Sequence, residues 1–208
     1  MINTELLVLF PTVISSSSLP GVDHTALISL AYHIRDSRPW ITDWNSPTYN
    51  TREVWDWHTE PTTAVQDLVA KATARADSMA QELGDVDPEY SLKCQALWFN
   101  IARPGDYQEH HVHHGANFSA VYYLTVPAAS GNIVFTRPGW AASLPMPIQD
   151  RPGGEFRQSV NYEIAPQAGQ LLIFPSSLEH QVRQNSSSLD RVCVSMNFKF
   201  ARREPPRV

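Results

Sequence analysis

The spacing of apolar residues changes near Leu92, from a period of 3.6 before it to a period of two after it. A period of 3.6 lines up one stripe of a helix, and a period of two lines up one face of a strand. The first ninety residues therefore read as helical and the rest as strands. Asp23 reads as a helix cap, with Leu27, Leu30, Ala31 and Ile34 following at helical spacing and Pro39 just beyond the end. A second helix has Thr62 or Thr63 as its cap. Its stripe runs Val65, Leu68, Val69, Ala72, Ala76, Met79, Ala80 and Leu83, and Gly84 ends it. Leu6–Phe10, ahead of Pro11, reads as a short strand. Residues 41–60, which hold Trp44, Trp55 and Trp57, read as a structured loop.

After the break, strands are expected at Leu92–Ala102, Phe118–Val126, Asn132–Thr136, Tyr162–Ile164, Gln170–Phe174, Gln181–Val182 and Arg191–Phe200. Turn residues separate them at 103–106, 128–131, 167–169 and 185–190. Residues 137–160 carry four prolines and three glycines and read as an irregular excursion of the kind that forms lids or binding loops. Helices first and antiparallel strands later imply an α+β chain, mainly β: a sheet sandwich or open barrel backed by helices. The 208 residues suffice for one full core, so one domain is expected over 1–208, with a helical part at 1–90 and a β core at 91–202.

Sixteen basic residues against 21 acidic give a net charge of -5, which argues against nucleic acid or an anionic membrane as partner. No apolar run is long enough to cross a membrane. The N-terminus lacks the basic start of a signal peptide. Cys94 and Cys193 lie in apolar, strand-like stretches and suggest no disulfide framework, so a reducing, cytoplasmic setting is expected.

Four of the eight histidines, His110, His111, His113 and His114, fall within five positions. If that segment is extended, His111 and His113 point to one face, and His110 and His114 to the other as surface groups. His180 follows the strand Gln170–Phe174 and supplies a third imidazole. Two ligands close in sequence plus one distant ligand is the pattern of non-haem iron(II) oxygenases, which leave coordination positions open for cosubstrate and oxygen. A lone histidine is ordinarily structural; a cluster with a third member in strand context reads as a metal site.

In the last strand Arg191, Cys193, Ser195 and Asn197 alternate with Val192, Val194, Met196 and Phe198. The apolar face is expected on the helices and the polar face in a pocket. There Arg191 offers the planar fork that suits a carboxylate. Ser119, Val121, Tyr123 and Thr125 share a face in their strand, which leaves Tyr123 either a second hydrogen-bond donor to the same cosubstrate or a core aromatic. Asn100, on one face with Trp98, is either a cosubstrate or substrate contact or a structural hydrogen-bond former.

These residues resemble a bacterial and phage group of 2-oxoglutarate–iron(II) oxygenases within the prolyl-hydroxylase-like class. The matching stretches are Trp98 to Asn100, Pro104 to Tyr107, His111 to His113, Ser119 to Leu124 with Pro127, and Ser130-Gly131 ahead of Phe135. The match continues through Pro166 to Gly169, Phe174 to Ser176, His180 to Val182, Asn185, and Arg191 to Asn197. The resemblance implies a double-stranded β-helix core, jelly-roll or cupin-like, and a dioxygenase that consumes 2-oxoglutarate and releases succinate and carbon dioxide. It implies iron(II) held by His111, His113 and His180, and 2-oxoglutarate bound through Arg191 with Tyr123; from the strand faces, Asn100 and Ser195 are the further expected cosubstrate contacts. Most relatives carry a carboxylate where His113 stands; the group resembled here carries histidine. Glu109 and Glu179 are the nearby acids, and neither falls at that position.

Two other readings compete. A cupin that does not use 2-oxoglutarate fits Gly105 six positions before His111. It lacks the glutamate a cupin needs after His113, and it gives Arg191 no role. A non-catalytic metal-binding module would keep the ligands without turnover. The expected partners are dioxygen and a small molecule such as an amino acid or a natural-product intermediate, without nucleic acid or membrane; homodimer formation is left open. Residues 41–60 and 137–160 are expected to frame the pocket mouth with Trp44, Trp55, Trp57, Trp140, Arg137, Arg151 and Arg157, or else the tryptophans are core and the arginines solvated.

Overall fold

Two short local signals start the helices of the computed structural model, which describes residues 10–38, 47–140 and 159–203. Asp23 accepts a hydrogen bond from the Ala26 amide at 2.9 Å and opens α1, His24–Ser37. Thr62 does the same for Val65 at 3.3 Å and opens α2, Thr63–Leu83, which ends at Gly84. Both stripes are buried as the periodicity requires, through Leu27, Ala31 and Ile34 in α1 and Val65, Leu68, Ala72, Ala76, Met79 and Ala80 in α2. Leu83 departs from that stripe and is half exposed. Among the described residues no helix is long and apolar enough to cross a membrane.

The helices cover one face of a six-stranded antiparallel sheet. Its members are β1 (Ser15–Ser18), β2 (Tyr49–Asn50), β3 (Tyr90–Ala102), β5 (Phe118–Thr125), β8 (Gln170–Pro175) and β10 (Arg191–Arg202). Their order is β1-β8-β5-β10-β3-β2. A four-stranded sheet faces it, built from β4 (Gln108–His111), β6 (Ile133–Thr136), β7 (Asn161–Ile164) and β9 (His180–Val182) in the order β4-β9-β6-β7. This is the double-stranded β-helix, mainly β and backed by two helices.

Alternation divides the large sheet into two faces. Val192, Val194, Met196 and Phe198 of β10 join Phe99, Tyr122, Leu171 and Ile173 in the core beneath the helices. Val121, Tyr123, Leu172, Phe174 and Cys193 point the other way and meet Ile133 and Phe135 of the small sheet. The apolar face of β10 thus lies on the helical side and its polar face looks between the sheets.

One local expectation changes, and one left open is settled. The first ninety residues are not wholly helical, because β1 and β2 complete both edges of the large sheet. β1 is a run of four serines whose pairing with β8 is carried by the backbone, so side-chain alternation gives no sign of it. Trp55 does not frame a pocket mouth: it is buried against Phe99 beneath the helices, and Trp57 packs on the same core. The strand expected at Leu6–Phe10 lies outside the described residues, apart from Phe10, which is exposed and in no strand. Trp44, Arg151 and Arg157 also lie outside them.

Candidate metal centre

Antiparallel pairing of β4 with β9 sets His111 directly opposite His180. β9 also pairs with β6, which places His180 against Phe135. β4 is irregular between Gln108 and His111 and stops there. His113 is held beyond its end by its own amide, which donates to the Ser176 carbonyl at 2.9 Å. The ligand atoms of His111, His113 and His180 lie within 4.8 Å of one another, and no acidic residue joins that group among the described residues. Glu109 and Glu179 stay outside it. His110 and His114 are exposed, as two-residue alternation requires.

Hydrogen bonding sets the tautomers. The Nδ1 of His111 is 2.8 Å from the Glu109 carbonyl, and that of His180 is 2.8 Å from the Leu178 carbonyl. A carbonyl oxygen only accepts, so each Nδ1 carries the proton and each Nε2 keeps its lone pair free for a cation. Burial pushes His113 down to about 3, aided by the charges of His111 and Arg52. Burial also pushes His180 down to about 3, with His111 next in effect. Both rings are therefore neutral at pH 7, the form that binds metal.

The same shifts fix a pH dependence. Below its ordinary value near 6.5 an unfolded histidine takes up a proton. Folded His113 and His180 refuse that proton until about pH 3. The unfolded state then binds more protons, and stability falls with pH. The metal-free protein should lose stability as pH drops from about 6.5 toward 3, each ring contributing a slope of up to about 1.4 kcal/mol per pH unit. Urea midpoints across that range are the measurement, and a flat profile would contradict it.

A cavity of about 170 Å³ runs from the three imidazoles to Arg191. Arg191 is 3% exposed. Its Nη1 donates to the Ser130 carbonyl at 2.8 Å and the Gly131 carbonyl at 3.2 Å. Its Nε has no hydrogen-bond partner, and no acid pairs with it among the described residues. A buried cation facing only carbonyls, with a donor left over, is an incomplete site that an anion would complete. Tyr123 is buried beside it; burial, with Cys193 next, raises its hydroxyl well above the usual phenol value, so it stays a donor. Asn100 donates to Ser195 across the β3–β10 pair at 2.9 Å, and both line the cavity.

Two turns hold this end in place. Gly105 donates to Asn185, and Asn185 donates back to Asp106 through its own amide. The buried Asn185 side chain also ties Ala102 to Leu189. β10 therefore starts in fixed register, with Arg191 opposite Ala102. Gly131, at φ 94°, lets the loop under the guanidinium pass close to 183–184; an added Cβ would sit 2.1 Å from the Arg183 carbonyl oxygen. Gly131→Ala should lower stability by about 1–3 kcal/mol, the scale of a strained backbone residue, seen as a lower urea midpoint.

Each site residue expected from sequence lines this one cavity: His111, His113, His180, Arg191, Tyr123, Asn100 and Ser195. Arg52 is the addition. It follows β2, and the guanidinium carbon lies 5.0 Å from the centre of the Trp98 ring. No local pattern marks it, because its place depends on β2 pairing with β3 through Asn50 and Asn100.

Residues 96–197 match the model of a family described as "Putative 2OG-Fe(II) oxygenase". No curated protein matches the chain in sequence. Among solved structures, a Pseudomonas putida prolyl-4-hydroxylase superposes with TM-score 0.62 at 17% identity, covering 92% of this chain and 93% of that one. The non-heme alpha ketoglutarate dependent epimerase SnoN from nogalamycin biosynthesis gives 0.61 at 16%, covering 92% and 79%. HygX from Streptomyces hygroscopicus, solved with nickel and 2-oxoglutarate, gives 0.55 at 13%, covering 90% and 83%. These likenesses establish the fold. The family match encloses all three imidazoles and Arg191, and the chain belongs to the 2-oxoglutarate- and iron(II)-dependent oxygenases.

Proposed function

We propose that this oxygenase hydroxylates a small molecule, such as an amino acid or a natural-product intermediate, with release of succinate and carbon dioxide. His111, His113 and His180 hold iron(II), and Arg191 binds the distal carboxylate of 2-oxoglutarate with Tyr123 as second donor. The observation behind this reading is the buried, acid-free guanidinium of Arg191 in one cavity with the three imidazoles. The donor set fits both groups. Neutral imidazole suits iron(II), and a guanidinium fork suits a carboxylate.

Iron(II) and 2-oxoglutarate, when bound, supply the oxidising chemistry by coupling decarboxylation to activation of dioxygen. The chain positions and shields. His113 and His180 bind without shedding protons, because burial already keeps both neutral. They add no negative charge, so the cation keeps its full attraction for a dianionic cosubstrate. Arg191 fixes the orientation of that diacid from the cavity floor. Ile133, Phe174 and Val121 wall the space and exclude water. The Asn100–Ser195 pair presents polar groups on the large-sheet wall.

The activity is placed in one domain over 1–208 and in the cytoplasm, where the free thiols Cys94 and Cys193 stay reduced. A net charge of -5 favours a small molecule over nucleic acid. The test is product release. Iron(II)-loaded protein given 2-oxoglutarate and oxygen should form succinate, and more of it when a substrate is present. Protein that retains iron yet forms no succinate overturns the reading.

A further inference from the structure

Among the described residues two arginines line the cavity, Arg191 at its buried floor and Arg52 at its exposed rim. Elsewhere Arg35, Arg38, Arg103, Arg183 and Arg202 each pair with an acid. Arg52 has no acidic partner among the described residues. Its position is nonetheless built. Thr51, fully buried, donates its amide to the Phe99 carbonyl and accepts from the Phe99 amide through its hydroxyl, both at 3.0 Å. Arg52 itself donates its amide to Asn50 at 3.2 Å. These bonds pin the turn beside Trp98, whose buried ring carries the guanidinium on one side and lies 5.6 Å from His113. Stacking uses one flat face of a guanidinium and leaves its edge donors open.

The two cations serve opposite ends of the space. Arg191 pairs across the strands with Ala102, and Trp98 lies four residues along β3, opposite Ser195. That is about 13 Å along the strand. One diacid held at the floor leaves Arg52 to whatever enters at the rim. The cavity, at about 170 Å³, is open at the end away from Arg191. A substrate beside a diacid held at the floor would enter at that rim, where Arg52 is.

We infer that Arg52, carried on Trp98 above His113, is the specificity-determining residue that pairs with a carboxylate on the substrate, and that the substrates are small carboxylic acids. This rests on the reading of the cavity floor as the 2-oxoglutarate site. A carboxylate fits better than a phosphate. Phosphate sites gather several donors from helix N-termini or successive amides. Among the described residues a single exposed guanidinium stands here beside the neutral amides of Asn50 and Gln108, and no lysine lines the cavity.

The test uses the full-length protein with iron(II) and 2-oxoglutarate. The probes are L-amino acids, N-acetyl amino acids and 2-hydroxy acids, each beside its carboxamide. At least one acid should raise succinate formation, with its carboxamide showing a KM higher by about tenfold, the scale of one lost charged hydrogen bond. In Arg52→Gln the KM of the acid should rise by about tenfold while that of the carboxamide moves less than about twofold, a split that a merely structural residue would not produce. Arg52→Lys should recover part of the acid preference. Equal response to acid and carboxamide, no response to any acid, or parallel rises in both KM values for Arg52→Gln would each overturn the role of Arg52. Wild-type protein that forms no succinate under any condition would remove the cosubstrate site, and the substrate proposal with it.

Discussion

His180→Ala will leave the protein unable to retain iron(II), with an affinity lower by more than about 100-fold. Loss of a group that merely orients a ligand already costs about 10- to 100-fold, and His180 is proposed as a ligand itself. It lies on β9 between β4 and β6, opposite His111 on one side and Phe135 on the other. Its Nδ1 is committed to the Leu178 carbonyl, so Nε2 is the only nitrogen it can offer. The variant should also lose the slow decarboxylation of 2-oxoglutarate that occurs without substrate. Anaerobic dialysis followed by iron analysis reads the first effect and succinate release the second. The urea midpoint, measured alongside, separates ligand loss from misfolding, since the ring also packs on Phe174. Retention of both iron and decarboxylation would remove His180 from the metal centre.

Arg191→Leu should keep the metal and lose the cosubstrate. Truncating one partner of a buried, hydrogen-bonded charge pair costs about 2–5 kcal/mol, a fall in affinity of about 30-fold or more. Calorimetric titration of 2-oxoglutarate into the metal-loaded protein measures it. Ligand linkage supplies an independent check. At 100 times the dissociation constant a ligand stabilises the folded state by about 2.7 kcal/mol, so 2-oxoglutarate should raise the melting temperature of the wild type and leave that of the variant unmoved. Arg191→Lys should recover little, because an ammonium cannot reproduce two parallel bonds. An unchanged affinity in Arg191→Leu would place the anchor elsewhere.

What the amino-acid order could and could not convey follows from the range of each signal. The strands from β3 onward other than β4, the faces of β10 and both helix caps are local, set by alternation or by a cap a few residues away, and they could be placed within a residue or two. His111 and His113 do converge, but β4 stops at His111 and the bond from the His113 amide to the Ser176 carbonyl sets the second ring. Pairing of distant segments is not local. β1 has no side-chain pattern because serines alternate with serines. Trp55 stood undecided between rim and core because it sits in a loop-like stretch. Its burial beneath the helices depends on β2 meeting β3, a contact spanning about fifty positions. Arg52 escaped notice on the same ground. Tyr123 stood undecided between core and cosubstrate, and it is both buried among apolar side chains and on the cavity wall.

The imidazoles and the floor guanidinium do not belong to one layer. His111 and His180 stand on the four-stranded sheet, whereas Arg191 starts a strand of the six-stranded one. No covalent bridge joins the layers, since both cysteines are free. An ion alone would draw together His111 and His180 on one leaf with His113, whose amide is tied to Ser176 beside the other. A diacid reaching from that ion to the guanidinium would rivet the two leaves to each other more firmly, as a removable fastener.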